Sequence, residues 1–410
     1  MFLANLCAAA MAAALIPTLA AATPLTLGQA LDLAVQRSEA TRGARAGARS
    51  ADQASKAAGQ LPDPTLQVGL ENLPVTGAGA FRTTTDSMTM KRLGISQEWV
   101  SSDKRAARQA AADALASQET AMAHVAAADT RLQTALSYID AFYAGEALKL
   151  TTLMEHHAHE EFEAARGRLA SADGSSQEAL ALASARGMAA DESDDVRQQQ
   201  SAARASLQRW TGIVPDELLA VAAPALPTED AFVDAHPAVV AKLSDIDVAQ
   251  READATSTNR RPNWSWNVSY GQRTGYSDMV SVGVSIPLQV APSARQDRDT
   301  ASKLALVEKA EAELVEARRA AAGEFQALAS DAQRLQSRIE RYRVAVLAPA
   351  QQRVTAAMAA YGSNQVSLAT LFGARHAQVD VERKLLSLQR DLARAQVQLV
   401  FKPLQQGELQ

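Results

Sequence analysis

The 410-residue sequence holds a single cysteine, Cys7, which lies in the first apolar stretch. Once that stretch is removed the chain has no thiol. This excludes disulfides and thiolate catalysis, and confines any metal site to His, Met or carboxylate ligands. Aromatic residues make up only 4% of the chain, although 47% of it is hydrophobic, much of that alanine. Alanine-rich sequence with few bulky side chains suits long helices packed closely side by side more than a thick globular core. The formal net charge of −5 leaves no basic footprint and excludes nucleic acid as a partner. There is no Gly-rich phosphate loop, no Gly-x-Ser-x-Gly and no zinc-hydrolase spacing. A protein that is not an enzyme and carries no cofactor is therefore expected.

Residues 1–22 read as a signal peptide. Phe2 to Leu19 is apolar, Pro17 stands near its end, and Ala20, Ala21 and Ala22 offer a cleavage site. No Lys or Arg precedes the apolar run. The rival reading is a membrane anchor, for which the run is short and lacks a charged stop. Lipidation at Cys7 is disfavoured because Leu6 before it is not small.

What the chain does contain is a pattern that occurs twice. In the first repeat (23–212), a helix opening at Thr26 as N-cap, with Leu27, Leu31 and Ala34 on one face, runs to Gln60. Two strands follow, at 64–73 and 87–99. The first alternates Leu66, Val68 and Leu70 with Gln67, Gly69 and Glu71. The alternation of the second slips between Met90 and Leu93, which predicts a bulge or a change of environment there. A long helix at 101–172, a short tip and a returning helix at 177–211 complete the repeat. A connector, 213–234, contains Pro215, Pro224 and Pro227.

The second repeat (235–403) has a helix, strands at 263–271 and 279–289, a long helix at 293–361, a tip and a returning helix at 367–400, before a tail at 404–410. Its strands alternate cleanly. Trp264, Trp266, Val268 and Tyr270 share one face, as do Val280, Val282, Val284, Ile286 and Leu288, with small polar residues opposite. A lipid-out, lumen-in transmembrane barrel strand has this split, and so does a half-buried strand of a soluble sandwich. About seventy helical residues span roughly 100 Å, far beyond a globular helix, so lateral support from other helices is required. Pro349 is expected to bend or interrupt the second long helix.

This order of elements resembles the TolC family of outer-membrane efflux channels over essentially the whole mature chain. Further likeness lies in Leu61-Pro-Asp-Pro64, Glu71-Asn-Leu-Pro-Val75, Met88-Thr-Met90, Gly94-Ile-Ser-Gln-Glu98, Lys104-Arg105 and Tyr361-Gly-Ser-Asn-Gln-Val-Ser-Leu368. The Asn-Leu-Pro-Val and Met-Thr-Met wording is closest to members that serve heavy-metal pumps of the resistance–nodulation–division type. The resemblance implies a mainly α fold with a small β part. Four strands per protomer complete a twelve-stranded barrel in a homotrimer, set in outer-membrane lipid above a periplasmic helical tube. It also implies a periplasmic adaptor protein and an inner-membrane pump as partners, with heavy-metal cations, drugs or a secreted protein as cargo. The contrasting class is a periplasmic coiled-coil adaptor, which would carry one hairpin flanked by many strands.

By the same resemblance the two tips form the entrance and dock the adaptor: Leu169, Asp173, Gly174, Ser175 and Ser176 in the first, and Tyr361, Gly362, Asn364, Val366, Ser367 and Leu368 in the second. The plain alternative is that Gly and Ser only turn the chain. Val366 and Leu368 extend a turn with apolar groups and point to docking. Asp173 suits an acidic constriction, but Asn364 and Gln365 stand in the second tip. Trp99, Trp264, Trp266 and Tyr270 are candidates for an interfacial aromatic girdle, or for ordinary core. His156, His159 and Glu160 share a helical face and are candidate metal ligands, with a solvated wall as the alternative. The Asp191–Asp195 run reads as a solvated face or a negative lumen ring. Met88 and Met90 read as lipid- or core-facing in preference to thioether ligands. His124, His236 and His376 read as isolated.

Overall fold

A computed structural model describes residues 24–172 and 174–405. The segment read as a signal peptide (with Cys7), the acidic candidate Asp173 and the last residues of the tail lie outside the described residues. In chain order the elements begin with α1 (Leu27–Arg37), α2 (Glu39–Ala58), β1 (Thr65–Glu71), β2 (Met90–Trp99), α3 (Ser102–Ala170) and α4 (Ser176–Thr211). Then come α5 (Glu229–Asp234), α6 (Pro237–Ser257), β3 (Trp264–Gln272), β4 (Met279–Ser285), α7 (Gln296–Tyr342), α8 (Ala348–Gly362) and α9 (Leu368–Phe401).

Thr26 caps α1 through a reciprocal box with Gln29, as its position suggests. The single helix expected up to Gln60 is in fact two. Ser38 is extended, its side chain caps α2 at the Thr41 N–H, and its hydroxyl lies 3.1 Å from that of Thr130 on α3. A hydroxyl contact 92 positions away thus accompanies the local cap, and no proline or glycine marks the break.

Helix α3 runs uninterrupted for 69 residues from its Ser101 cap, about 100 Å at the usual helical rise. It is the spine of the molecule, with α2, α4, α6 and α9 packed along it. Its buried positions are mostly Ala and Thr, among them Ala123, Ala127, Ala128, Thr130, Thr134 and Ala135. Side chains of that size let helix axes approach closely. The bulky core is concentrated midway, where Tyr138 and Ile139 meet Leu25, Leu31, Leu207 and Val397.

The second long stretch is interrupted where Pro349 predicts. Pro349 has no N–H for the carbonyl of Ala345, and residues 343–347 form a π turn between α7 and α8. The wider turn accommodates the missing hydrogen bond.

The four strands form one antiparallel sheet in the order β1-β2-β3-β4. The bulge expected near Arg92 is absent. Thr65–Glu71 pair one-to-one with Ser96–Met90, and Lys91–Trp99 with Gln272–Trp264. The slip in alternation is instead a swap at the strand's first two residues. Met90 lies on the polar face against Gly271, and Lys91 sits at the margin of the apolar face. Met88 precedes the strand; its carbonyl accepts from Asn72 Nδ2, and Thr89 donates to the Asn72 carbonyl. Strand β4 ends at Ser285, short of the expected 289, ahead of Pro287, which has no N–H for a ladder. Among the described residues no helix is long and apolar enough to cross a membrane.

Candidate functional site

Three regions carry functional geometry: the sheet, the two tips, and the helical wall between them. The sheet is inverted relative to a soluble one. Leu66, Ile95, Val268 and Val282 align across all four strands on one face, as do Val68, Leu93, Tyr270 and Val280. All of these are exposed, Val68 at 75% and Val282 at 73%. The opposite face carries Gln67, Gly69, Gly94, Ser96, Asn267, Ser269, Gly271 and Gly283, and there Gly94, Ser269 and Gly271 are buried.

That polar face is cramped. A Cβ added at Gly94 would stand 2.8 Å from the Ser269 Cβ, at Gly271 2.7 Å from the Met90 sulfur, and at Gly283 2.5 Å from Asn267 Oδ1. Small residues on one side let the sheet curl toward it and turn its apolar side outward. Arg92 and Glu71 pair on this inner face.

The aromatic candidates fall at two levels. Trp99 and Trp264 are register partners with ring centroids 5.9 Å apart, and Trp266 is one outward-facing position further in. Tyr270 lies six residues from Trp264, about 20 Å along a strand, and its hydroxyl bonds Asp278 in the β3–β4 loop. At the Trp end the sheet is bolted to the helices. Lys104, in the first turn of α3, donates to the Arg261 carbonyl at 3.0 Å and to Asn263 Oδ1 at 2.9 Å. Burial lowers the Lys104 pKa, with Arg108 adding to the effect and Glu98 opposing it.

At the far end of α3 the two tips touch. In the first, the left-handed position belongs to Ala172 (φ 61°), not to Gly174. Gly174 is required for a different reason, since a Cβ there would meet the Leu169 nitrogen at 2.7 Å and the Arg168 carbonyl carbon at 2.9 Å. Ser175 caps α4, and Leu169 and Ser176 are exposed. In the second tip Asn364 (φ 64°) makes the turn, while an added Cβ at Gly362 would meet open space. Ser367 caps α9.

Leu368 does not extend an exposed turn. It is 4% exposed and packs with Ala165, Leu182 and Leu371, with Tyr361 and Phe372 around them. As the first residue of α9 it points between the hairpins, and its backbone N–H donates to Glu178 Oε1 at 2.8 Å. The other oxygen of Glu178 holds Arg168 at 2.8 Å, and the Arg168 guanidinium lies over the Tyr361 ring. Val366 remains half-buried at the turn.

On the wall, the candidate histidines do not converge. His156 Nε2 lies 3.3 Å from Glu160, but the second imidazole near that carboxylate is that of His157, at 3.5 Å. His159 is exposed on α3 and is not part of this pair. Conversely His376, read as isolated, is clustered. It stacks on Phe372 and lies near Asp380 and Glu192. In the acidic run Glu192 turns toward α9, whereas Asp194 pairs with Arg197, which also holds Glu155 on α3.

No family model matches the chain, and no curated relative does. Solved structures do match. The outer-membrane channel CmeC of Campylobacter jejuni aligns with a TM-score of 0.76 at 12% identity, covering 92% of this chain and 85% of that one. The outer-membrane protein VceC of Vibrio cholerae gives 0.72 at 16% identity, with 92% and 95% covered. CusC, solved in the context of transmembrane channel formation, gives 0.75 at 13% identity, with 92% and 91% covered. The protein has the fold of outer-membrane channels. The likeness is even across these structures and singles out no branch.

Within this channel fold, sequence reasoning passed over the residues that join helix to helix. Glu178 follows Ser175 at capping-box spacing, a local signal that marks it as notable but not where it reaches. Glu161 closes the His-rich stretch that begins at Met154, a signal that says nothing of its partner on another helix. It is 4% exposed on α3 and takes Arg375 of α9 at 2.7 Å, while its second oxygen is buried without a partner. Burial raises the Glu161 pKa, against the pull of Arg375.

Proposed function

We propose that the chain is one protomer of a homotrimeric outer-membrane efflux duct. The observation that carries this reading is the four-stranded sheet, apolar on its exposed face and open at both edges, mounted on a helical body whose spine is about 100 Å long. Open edges are not tolerated in lipid. Three copies joined β4 to β1 close twelve strands, with the Gly- and Ser-rich face lining the lumen. The helices continue the duct into the periplasm, and the internally duplicated element order gives six hairpin tips at its entrance. A cleaved signal at 1–22 fits export to that site.

In this assembly a periplasmic adaptor docks on the tips and an inner-membrane pump of the resistance–nodulation–division type delivers the cargo. The cargo we assign is heavy-metal cations, on the wording around Asn72–Val75 and Met88–Met90. Two experiments test this. Outer-membrane fractions run unheated on a gel should show a trimer that heating collapses; a soluble monomer would end the channel reading. A deletion strain should lose tolerance to copper, silver, zinc or cobalt; unchanged metal tolerance with raised drug sensitivity would reassign the cargo.

A further inference from the structure

Among the described residues outside the sheet and the tips, one group of side chains has the composition of a metal site. His376 and Asp380 stand one turn apart on α9, and Glu192 reaches them from α4. One potential ligand atom from each lies within 4.8 Å of the other two. The i, i+4 spacing puts His376 and Asp380 on one helical face, with Nε2 to Oδ2 at 3.7 Å, too long for a hydrogen bond. His376 Nδ1 is buried and has no hydrogen-bond partner. The imidazole is held by Phe372 stacking, 5.8 Å between centroids and 13° from parallel, so the ring is oriented while neither nitrogen is engaged.

We propose that Glu192, His376 and Asp380 bind one borderline divalent cation, of which Zn²⁺ is the type, and that the bound ion staples α4 to α9. One imidazole and two carboxylates match the preference of such ions for mixed N and O donors. Ligands at about 2.0–2.2 Å around a tetrahedral ion stand roughly 3.4 Å apart. Closure therefore requires a rotamer adjustment of about an ångström, which the half-exposed Asp380 side chain permits. Water supplies the fourth position.

The competing cation is built in. Arg383 contacts Glu192 and lies 4.0 Å from Asp380. Its guanidinium neutralises the two carboxylates in the metal-free protein and swings away when the ion enters. The site sits on the helices that rise from the two tips, so loading it couples one hairpin to the other. The proposal is independent of what the duct carries, because it concerns a resident ion held between helices.

The test uses the full chain purified in detergent, stripped with chelator, and titrated with ZnCl₂ near neutral pH by calorimetry. Saturable binding of one ion per chain is expected, with a rise in melting temperature. Asp380→Asn removes a ligand and leaves the Phe372 stack in place. It should weaken binding about tenfold or more, at least what the loss of a supporting partner costs a metal site. Arg383→Gln removes the competitor and should tighten binding. His159→Gln should change nothing. The proposal is overturned if the wild type shows no saturable binding, if Asp380→Asn binds as the wild type does, or if Arg383→Gln weakens binding while melting normally in chelator.

Discussion

The Tyr138 hydroxyl stands 2.7 Å from the Leu25 carbonyl, 113 positions earlier in the chain. It is also 2.8 Å from the Leu219 carbonyl and accepts from the Leu219 N–H at 3.0 Å. One buried side chain, midway along α3, thus pins the N-terminal segment and the connector to the spine, where Leu25 and Leu218 form a parallel bridge. Burial raises the Tyr138 pKa, so the hydroxyl keeps its proton. Tyr138→Phe keeps the ring and leaves these backbone groups under-satisfied. A loss of about 1–3 kcal/mol is expected, read as a lower denaturant midpoint with an unchanged slope. An unchanged midpoint would mean that the segment is held by packing alone.

Val282 faces outward and Ser281 inward on the same strand. If the exposed face meets lipid, Val282→Arg should cost about 2–4 kcal/mol, the range for a cation near the midplane of a barrel's outer surface. Ser281→Arg should cost much less. The comparison is made by chemical denaturation of the refolded protein in vesicles. Equal costs would remove the lipid assignment of this face.

His236 caps α6 by accepting from the Ala238 N–H, while its Nε2 faces Glu324 at 3.4 Å. Burial lowers its pKa below the usual 6.5, the nearby Lys402 adds to this, and Glu324 opposes it. Between the folded and unfolded values the unfolded chain binds more protons. The stability is therefore present above about 6.5 and is lost as pH falls toward the folded value. His236→Asn retains a cap acceptor and cannot titrate. Melting curves should show the wild type losing more than this variant between about pH 7 and pH 5. Parallel curves would show that His236 does not titrate in this way.

How far the sequence reveals this architecture depends on the range of each cause. The length of α3 is legible because nothing in it breaks a helix, and the interruption near Pro349 because a missing N–H acts locally. The split faces of β3 and β4 are equally plain, since alternation is a property of neighbours. The break at Ser38 is harder to read, because a lone serine can cap a helix or continue one, and its other contact, Thr130, lies on a different helix. The burial of Leu368 is hidden for the same reason: an apolar residue after a turn reads as exposed until a second hairpin is placed against it. His376 and Glu192 lie far apart in the chain, so their convergence cannot be read from either helix alone, whereas the adjacent histidines at 156–159 advertise a cluster that helical geometry does not close.

Glu178 joins the two tips by taking the Leu368 N–H on one oxygen and Arg168 on the other. Glu178→Gln keeps an acceptor for the N–H and loses the charge pair; Glu178→Ala loses both. The alanine variant should destabilise the contact by about 1–3 kcal/mol and the glutamine variant by less. Hydrogen exchange over residues 366–371 should follow that order. Equal protection in all three proteins would show that the apolar cluster around Leu182 holds the tips unaided.

The adaptor docking proposed for the second tip is tested by comparing Val366 with Leu368. Val366 is half-buried at the turn, whereas Leu368 is 4% exposed between the hairpins. Val366→Asp places a charge where water can reach it. It should leave melting and oligomeric state unchanged while weakening adaptor docking and lowering efflux. Leu368→Asp forces a carboxylate among Ala165, Leu182 and Leu371. Burying an unpaired charge is costly, so this variant should melt several degrees lower and lose efflux through tip disorder, whatever its contact with a partner. Melting, gel mobility and an adaptor pull-down on both variants distinguish the two roles. Normal docking and efflux in the Val366 variant would remove this turn from the docking surface.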